Sequence, residues 1–171
     1  RYSLSFLGID LGTSGLRAML MDEAGSAIRT VEAAYTTRSP APGWSEQDPK
    51  LWIDALDAAV EELRTTEPRF ANLIGIGVAG HMHGATLLDD MGNVLRPCIL
   101  WNDTRAATEA AARDQNTVLQ EVSGNIVFTG FTAAKLAWVA KHEPEIVSKT
   151  AKVLLPAADL NYHLTGDYVA D

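Results

Sequence analysis

The first 36 residues constrain the fold most strongly, because they alternate apolar runs with tight polar turns. Residues 4–9 are mostly apolar, the segment Asp10-Leu-Gly-Thr-Ser-Gly15 follows them, and apolar residues resume at 16–21. A second turn at 22–26 leads into an alternating run at 28–36. Short apolar runs separated by Gly, Ser and Asp are typical of hairpins. The pattern therefore predicts an antiparallel meander of three strands.

A helix, another strand and further helices follow this meander. Asp48-Pro49 has the form of a helix N-cap with a proline in the first turn. Apolar residues then recur at helical spacing, which predicts an amphipathic helix over 49–65. The short β-branched run at 73–79 predicts a buried strand, and Thr132 is predicted to cap a later helix. This order predicts an α/β protein of ribonuclease-H-like fold, with helices flanking a mixed five-stranded sheet.

Composition excludes several classes of protein. Hydrophobic residues make up 47% of the chain and charged residues 21%, which is typical of a globular domain. The net charge of −8 argues against a non-specific nucleic-acid binder, which needs a cationic surface. No apolar run approaches the roughly 20 residues that span a bilayer, and no signal peptide opens the chain. A single cysteine, Cys98, fits a reducing compartment. We expect a cytoplasmic protein without nucleic-acid or membrane partners.

The two ends of the sequence indicate a fragment. The chain begins at Arg1, without a methionine, and stops at Asp171, just after an apparent strand begins. It contains no internal repeat, low-complexity tract or linker. We therefore expect residues 1–171 to form one incomplete domain.

The turn from Asp10 to Gly15 is the first candidate site. Gly12 and Gly15 permit backbone conformations closed to other residues and a close approach to a bulky anion. Thr13 and Ser14 offer hydroxyls and amides to phosphate oxygens. Asp10 is suited to hold Mg²⁺ through water, since magnesium keeps much of its hydration. An ordinary hairpin explains the same residues, but their position between two apolar strands favours phosphate.

The segment Gly80-His-Met-His-Gly84 is the second candidate site. It follows a predicted strand, and α/β proteins tend to bind ligands where strands end. His81 and His83 point the same way on extended backbone. No third ligand stands at a recognisable spacing, which disfavours a metal. A neutral imidazole that hydrogen-bonds a hydroxyl is the favoured interpretation, and a purely structural role for His81 remains an equal alternative.

The third candidate site is Trp101-Asn-Asp-Thr-Arg105. An indole offers a flat apolar face to a carbon skeleton, and Asn102 and Asp103 supply hydrogen bonds for hydroxyls. A core tryptophan followed by a helix cap at Asp103 or Thr104 is the alternative, and both interpretations can hold together. Phosphoryl transfer to an alcohol usually needs a carboxylate that accepts the hydroxyl proton. No other Asp or Glu stands in a distinctive motif.

At these residues the chain resembles the FGGY carbohydrate kinases, and within them the bacterial xylulokinases. The resemblance covers nearly the whole chain, and its strength lies in the set of motifs rather than in the first alone. Four blocks match in order: Ile9-Asp-Leu-Gly-Thr-Ser-Gly15, Trp44-Ser-Glu-Gln-Asp-Pro49, Gly80-x-Met-His-Gly-Ala-Thr-Leu-Leu88 and Arg96-Pro-x-Ile-Leu-Trp-Asn-Asp-x-Arg105. Later agreement includes Gly130-Phe-Thr-Ala-x-Lys-Leu136 and Val153-Leu-Leu-Pro156.

The resemblance implies two actin-like lobes with ATP and Mg²⁺ between them, the sugar lying mainly on the N-terminal lobe. It implies that D-xylulose is converted to D-xylulose 5-phosphate, that Met82 and His83 contact the sugar, and that Asp10 is important for activity. The catalytic-base aspartate and the nucleotide-binding lobe would lie in later segments that this chain lacks. A homodimer is also compatible with the family. The fragment alone is expected to be inactive.

Other functions stay open at this point. His81 stands where xylulokinases often carry Gln, which weakens the choice of xylulose over a related ketose or polyol. Glycerol kinases typically have Arg-Glu at Met82-His83, which argues against glycerol. An actin-like ATPase would share the Asp10–Gly15 turn but has no need for Met82-His83. A regulatory sugar-binding protein with an inactive kinase fold is the third alternative.

Overall fold

The computed structural model describes residues 3–170, in which a mixed sheet of four strands is flanked by helices. The strands of this sheet lie in the order β3-β2-β1-β5, and two shorter ladders, β4-β7 and β6-β8, stand apart from it. The strands are β1 (Ser5–Leu11), β2 (Gly15–Asp22), β3 (Ala27–Ala34), β4 (Glu46–Gln47), β5 (Leu73–Gly80), β6 (Thr86–Leu88), β7 (Cys98–Ile99) and β8 (Lys152–Leu154). The helices are α1 (Pro49–Thr66), α2 (Ala107–Asp114), α3 (Thr117–Ser123), α4 (Thr132–His142), α5 (Pro144–Lys149) and α6 (Pro156–Thr165), with a short 3-10 helix at Pro68–Asn72.

The predicted three-strand meander is confirmed. β1 and β2 run antiparallel with Asp10 opposite Arg17, and β2 pairs antiparallel with β3. Alternate residues of β1, Leu7, Ile9 and Leu11, are buried on one face of the sheet. Burial of one face fixes the register, because a shift by one residue would turn these side chains to the other face.

Helix α1 carries the chain from the meander to β5 and covers the buried face of the sheet. The side chain of Asp48 accepts a hydrogen bond from the backbone N–H of Lys50 at 2.9 Å, and Pro49 occupies the first turn, as predicted. The apolar stripe of the helix, Trp52, Leu56, Ala59 and Leu63, is buried in the same core as β1 and β2. Because the helix crosses over the sheet, β5 returns parallel to β1.

Two expectations about the sheet differ from the structure. The main sheet has four strands within the described residues, not the predicted five. β5 lies at its edge there, so Ile74 and Ile76 are 56% and 48% exposed, although the run was expected to be a buried strand. A β-branched run of this length predicts a strand, but it does not reveal how many neighbours that strand has.

Helices α2 and α4 pack together beside the short ladders and form a second apolar cluster, centred on Leu87, Ile99 and Trp138. Thr132 is not the N-cap of α4, because Phe131 occupies that position without a side-chain cap bond. The hydroxyl of Thr132 instead donates to the backbone carbonyl of His83 at 3.1 Å. In the described part of the chain, every helix is too short or too polar to traverse a bilayer.

Candidate functional site

Parallel pairing of β1 with β5 brings the first two candidate segments to one edge of the sheet. Asp10 lies opposite Ala79, and Leu11 lies opposite Gly80. Beyond the end of the ladder, the backbone N–H of His81 donates to the carbonyl of Leu11 at 3.0 Å. Ligands of open α/β sheets bind where the carboxyl ends of the strands meet. This edge is therefore the candidate site.

The turn after β1 is tight, and its glycines are needed for close packing rather than for unusual backbone angles. Neither Gly12 nor Gly15 has a positive φ, contrary to the expectation of a conformation closed to other residues. A Cβ on Gly12 would instead lie 2.9 Å from the carbonyl oxygen of Gly15. The Tyr35 hydroxyl donates to the Gly12 carbonyl at 2.5 Å. Burial, with a smaller contribution from the charge of Asp10, raises the pKa of Tyr35.

Asp10 and Ser14 are exposed beside this turn and line an open depression of about 330 Å³. Within residues 3–170, no group of three or more His, Cys, Asp or Glu side chains is placed to hold a metal ion. A single exposed carboxylate next to this open depression still fits Mg²⁺, because this ion is usually held by one or two carboxylates together with substrate phosphates. The donor set therefore suits a magnesium ion that arrives with a nucleotide.

The first and third candidate segments meet at a direct hydrogen bond. The indole N–H of Trp101 donates to the hydroxyl oxygen of Thr13 at 3.0 Å. Trp101 is 41% exposed, so it is not the core tryptophan that the sequence left as an alternative, and Asn102 beside it is exposed as well. Gln47 supports Thr13 from the other side by donating to its backbone carbonyl at 2.5 Å. A flat aromatic face thus adjoins the proposed phosphate turn.

His83 occupies a strained backbone position next to this edge. Its φ of 63° is the only positive value among the non-glycine residues in the described range. Such conformations are costly for residues with a Cβ and cluster at functional sites. The imidazole packs on Phe131, with ring centroids 4.4 Å apart and planes tilted by 36°. Burial and the nearby charge of Lys135 lower the pKa of His83, which favours a neutral ring. Met82 is 52% exposed.

His81 has different surroundings from His83. β5 ends at Gly80, so both histidines lie beyond the strand. The expectation that extended backbone would point their side chains the same way is therefore wrong. The ring of His81 packs edge-on against Trp52 at 5.4 Å, and both ring nitrogens are buried without a partner among the described residues. Burial lowers the pKa of His81 to about 4. The packing on Trp52 fits a structural role, but the unpartnered ring nitrogens are not those of a histidine whose hydrogen bonds are satisfied, so both interpretations of His81 stay predictions.

Asp103 is enclosed by hydrogen bonds beneath the exposed Trp101 and Asn102. One oxygen accepts the backbone N–H of Ser45 at 2.6 Å, and the guanidinium of Arg105 donates to both oxygens at 2.7–3.0 Å. Arg105 also bonds Glu46 at 2.7 Å and lies 3.8 Å over the Trp44 ring. The side chains of Asp103 and Arg105 are each 1% exposed. The geometry favours support of the loop by Asp103, and contact between Asp103 and a substrate stays a prediction.

Several residues that support the site were not identified from the sequence. The sequence distinguishes the block beginning at Trp44 only by its family resemblance and its helix cap, yet its Glu46 and Gln47 hold the Trp101 loop and the phosphate turn. A polar residue within a short strand gives no sign of its distant partner. The supporting residues are Tyr35, Glu46, Gln47, Arg105 and Lys135.

The sequence matches the N-terminal domain of the FGGY family of carbohydrate kinases over residues 5–171. The chain therefore belongs to this family. It is 44% identical over 167 residues to the xylulose kinase of Klebsiella pneumoniae, covering 97% of this chain and 34% of that protein. The chain thus spans about a third of the length of the curated relatives it matches.

Solved structures agree with this relationship. The crystal structure of a xyloylose kinase from Brucella ovis superposes with a TM-score of 0.95 at 51% identity, covering 98% of this chain and 35% of that one. The xylulose kinase of Rhodospirillum rubrum gives a TM-score of 0.90 at 34% identity, covering 98% of this chain and 36% of that one. These sugar-kinase neighbours confirm the predicted fold class and the family resemblance.

Replacing Asp103 tests its support of the Trp101 loop. Asp103→Ala should lower the free energy of unfolding by about 3 kcal/mol or more, because it leaves the buried guanidinium of Arg105 short of a partner. Chemical denaturation of the whole protein measures the change. Asn102→Ala, one residue away but exposed, should alter stability by less than about 0.5 kcal/mol. Equal stability of the two variants would contradict a structural role for Asp103.

The environment of His81 predicts a loss of stability in acid. Because the pKa of His81 is lowered to about 4 from an ordinary value near 6.5, the unfolded chain binds this proton more readily than the folded chain. The stability due to neutral His81 is present above pH 6.5 and is lost as the pH falls towards 4. His81→Gln should make the melting temperature less sensitive to pH in this window. A dependence of the melting temperature on pH that is unchanged in His81→Gln would contradict this role of burial at His81.

Proposed function

We propose that the protein containing this chain transfers a phosphoryl group from ATP to a hydroxyl of D-xylulose, giving D-xylulose 5-phosphate. In this proposal residues 1–171 form the sugar-binding lobe. The structure describes residues 3–170 of that lobe. The observation that carries it is the hydrogen bond between Trp101 and Thr13, because it joins an exposed aromatic face to the turn proposed to bind phosphate. The xylulose kinases among the relatives support the choice of substrate.

On the phosphate side, Asp10, Gly12, Thr13 and Ser14 would receive the transferring group. The turn offers backbone amides and an exposed Ser14 hydroxyl, and oriented amides of this kind bind anions. Asp10 would hold Mg²⁺, which supplies neutralisation of the phosphate charge. The Thr13 hydroxyl is fixed by Trp101, so the position of the phosphate turn depends on the sugar-binding loop.

On the sugar side, Met82, His83, Trp101 and Asn102 would contact the ketose. Three of these side chains are exposed, and His83 is partly buried against Phe131. A neutral imidazole can accept a hydrogen bond from a hydroxyl or donate one to it, and the indole face suits the carbon skeleton. Asp103 would then act indirectly, by holding the loop that carries Trp101 and Asn102.

The proton acceptor of the reaction is proposed to lie outside residues 1–171. General-base catalysis needs a carboxylate within hydrogen-bond reach of the attacking hydroxyl. Asp103, the carboxylate nearest in sequence to Trp101, is already bonded to Arg105 and Ser45. Positioning and electrostatics provide most of the rate enhancement in phosphoryl transfer, and these require both reactants to be held. The isolated lobe should consequently be inactive.

A related ketose or polyol is the second candidate substrate. It is favoured by His81, which stands where the family resemblance implies that xylulokinases often carry Gln. The ring of His81 contacts Trp52 and also lines a cavity next to Met82. A change at that position can therefore reshape the surroundings of the sugar without altering the phosphate turn.

A substrate panel tests the proposed reaction. The whole protein should phosphorylate D-xylulose in the presence of ATP and Mg²⁺ with a higher kcat/KM than related ketoses, polyols or glycerol. Coupled measurement of ADP release gives the rates. Asp10→Asn should lower kcat by at least about a hundredfold with little change in sugar affinity, since it removes the charge that holds the metal. Transfer to none of the sugars would refute the proposal, and an unchanged kcat in Asp10→Asn would leave the turn as an ordinary hairpin.

The two histidines should differ in their effect on the sugar. His83→Ala is expected to lower kcat/KM for xylulose by about tenfold or more, because a hydrogen bond to a partly buried hydroxyl is lost. His81→Ala should have a smaller effect, since its ring faces Trp52. Thermal melts of both variants exclude unfolding, which matters because Ala is also strained at a φ of 63°. Loss of activity in His81→Ala with normal activity in His83→Ala would reverse the assignment.

A further inference from the structure

Lys135 is a fully buried lysine near the proposed sugar site. It lies on α4 with no exposed surface, and the apolar residues Ala134, Trp138 and Val139 of the same helix are buried as well. Within residues 3–170, no carboxylate lies close enough to form a salt bridge with it, and its ammonium donates to the backbone carbonyl of Gly130. Burial of an ammonium without a counter-ion is costly. Such a cost calls for an explanation beyond the packing of α4.

The Gly130 carbonyl belongs to a turn that contacts both sugar-binding loops. A Cβ on Gly130 would overlap the backbone oxygen of Trp101, so the two segments touch directly. The next residue, Phe131, packs on the ring of His83, and Thr132 donates its hydroxyl to the His83 carbonyl. The turn 130–132 therefore contacts Trp101 and His83, two of the residues that are proposed to bind the sugar.

We propose that Lys135 is a positioning residue for the sugar: its ammonium fixes the turn 130–132 against Trp101 and His83, and its positive charge acts on the neighbouring His83 ring. This inference rests on the proposed function, because it assigns Lys135 a part in the same site. It adds a residue that touches neither the sugar nor the phosphate. A lysine is suited to both tasks, since it combines a donor for the Gly130 carbonyl with a positive charge.

The charges around Lys135 are consistent with this role. Burial lowers the pKa of Lys135 to about 8, and the groups that face it are Cys98, Asp103 and Arg105, with His83 across the site. The lysine therefore remains mostly charged near neutral pH. Its charge adds to burial in lowering the pKa of His83. A neutral His83 can accept a hydrogen bond from a hydroxyl, which a protonated ring cannot do.

The first test compares substitutions that remove or keep the charge, in the whole protein without sugar. The His83 ring is titrated by NMR. Lys135→Met should raise the pKa of His83, whereas Lys135→Arg should leave it close to the wild-type value. Lys141→Met is the matched control, since it removes one exposed lysine from the same helix. An unchanged His83 titration in Lys135→Met, or an equal change in Lys141→Met, would overturn the electrostatic part of the proposal.

The second test measures sugar use by the same variants. Lys135→Met should raise KM for xylulose by about tenfold with a smaller change in kcat, because His83 and Trp101 lose their support while the phosphate turn is intact. Gly130→Ala removes no charge but pushes the turn away from Trp101, so it should raise KM similarly even if Lys135→Met fails to fold. Wild-type KM in Gly130→Ala would refute the positioning role.

The two proposals fail in different ways. If the protein phosphorylates no sugar, the titration of His83 still tests the influence of Lys135. If the protein is an active xylulose kinase and the Lys135 and Gly130 variants keep wild-type KM, the inference about Lys135 is wrong while the proposed function stands.

Discussion

Hydrogen bonds between the parallel strands β1 and β5 join two segments that lie about seventy residues apart in sequence. Asp10 is held opposite Ala79, and the turns that follow the two strands emerge side by side. Parallel pairing requires a crossover, which α1 provides by packing its apolar stripe on the sheet. The candidate phosphate turn and the histidine segment are neighbours only because this ladder forms. Every other feature of the site is built on that edge.

The polar groups beneath the site are buried in pairs, and this arrangement holds its loops. Arg105 joins Glu46 to Asp103, and Gln47 joins Trp52 to the carbonyl of Thr13. Buried charges and amides are tolerated when their hydrogen bonds are satisfied, and they then fix one geometry strongly. The exposed residues Trp101 and Asn102 consequently stand on a rigid base. Preorganisation of this kind is what a sugar kinase needs, since phosphoryl transfer depends on positioning.

Local patterns in the sequence predicted the local structure well, but not the long-range partners. The meander and the Asp48 cap follow from residues close to one another, and both are confirmed. The exposure of β5 and the bond from Thr132 to His83 depend on distant segments, which periodicity does not report. The burial of Lys135 is visible in the sequence, because this lysine falls on the apolar side of the helical pattern of α4. Three segments were predicted as candidate sites, and their convergence became visible only in three dimensions.

A crystal structure of the whole protein with D-xylulose and a non-hydrolysable ATP analogue would test the proposed site most directly. We expect a sugar hydroxyl within hydrogen-bond distance of the His83 ring and the carbon skeleton facing Trp101. We also expect the terminal phosphate of the analogue to approach the Asp10–Gly15 turn, adjacent to the indole that bonds Thr13. A sugar bound elsewhere, or a terminal phosphate remote from Asp10, would contradict the single site proposed at this edge of the sheet.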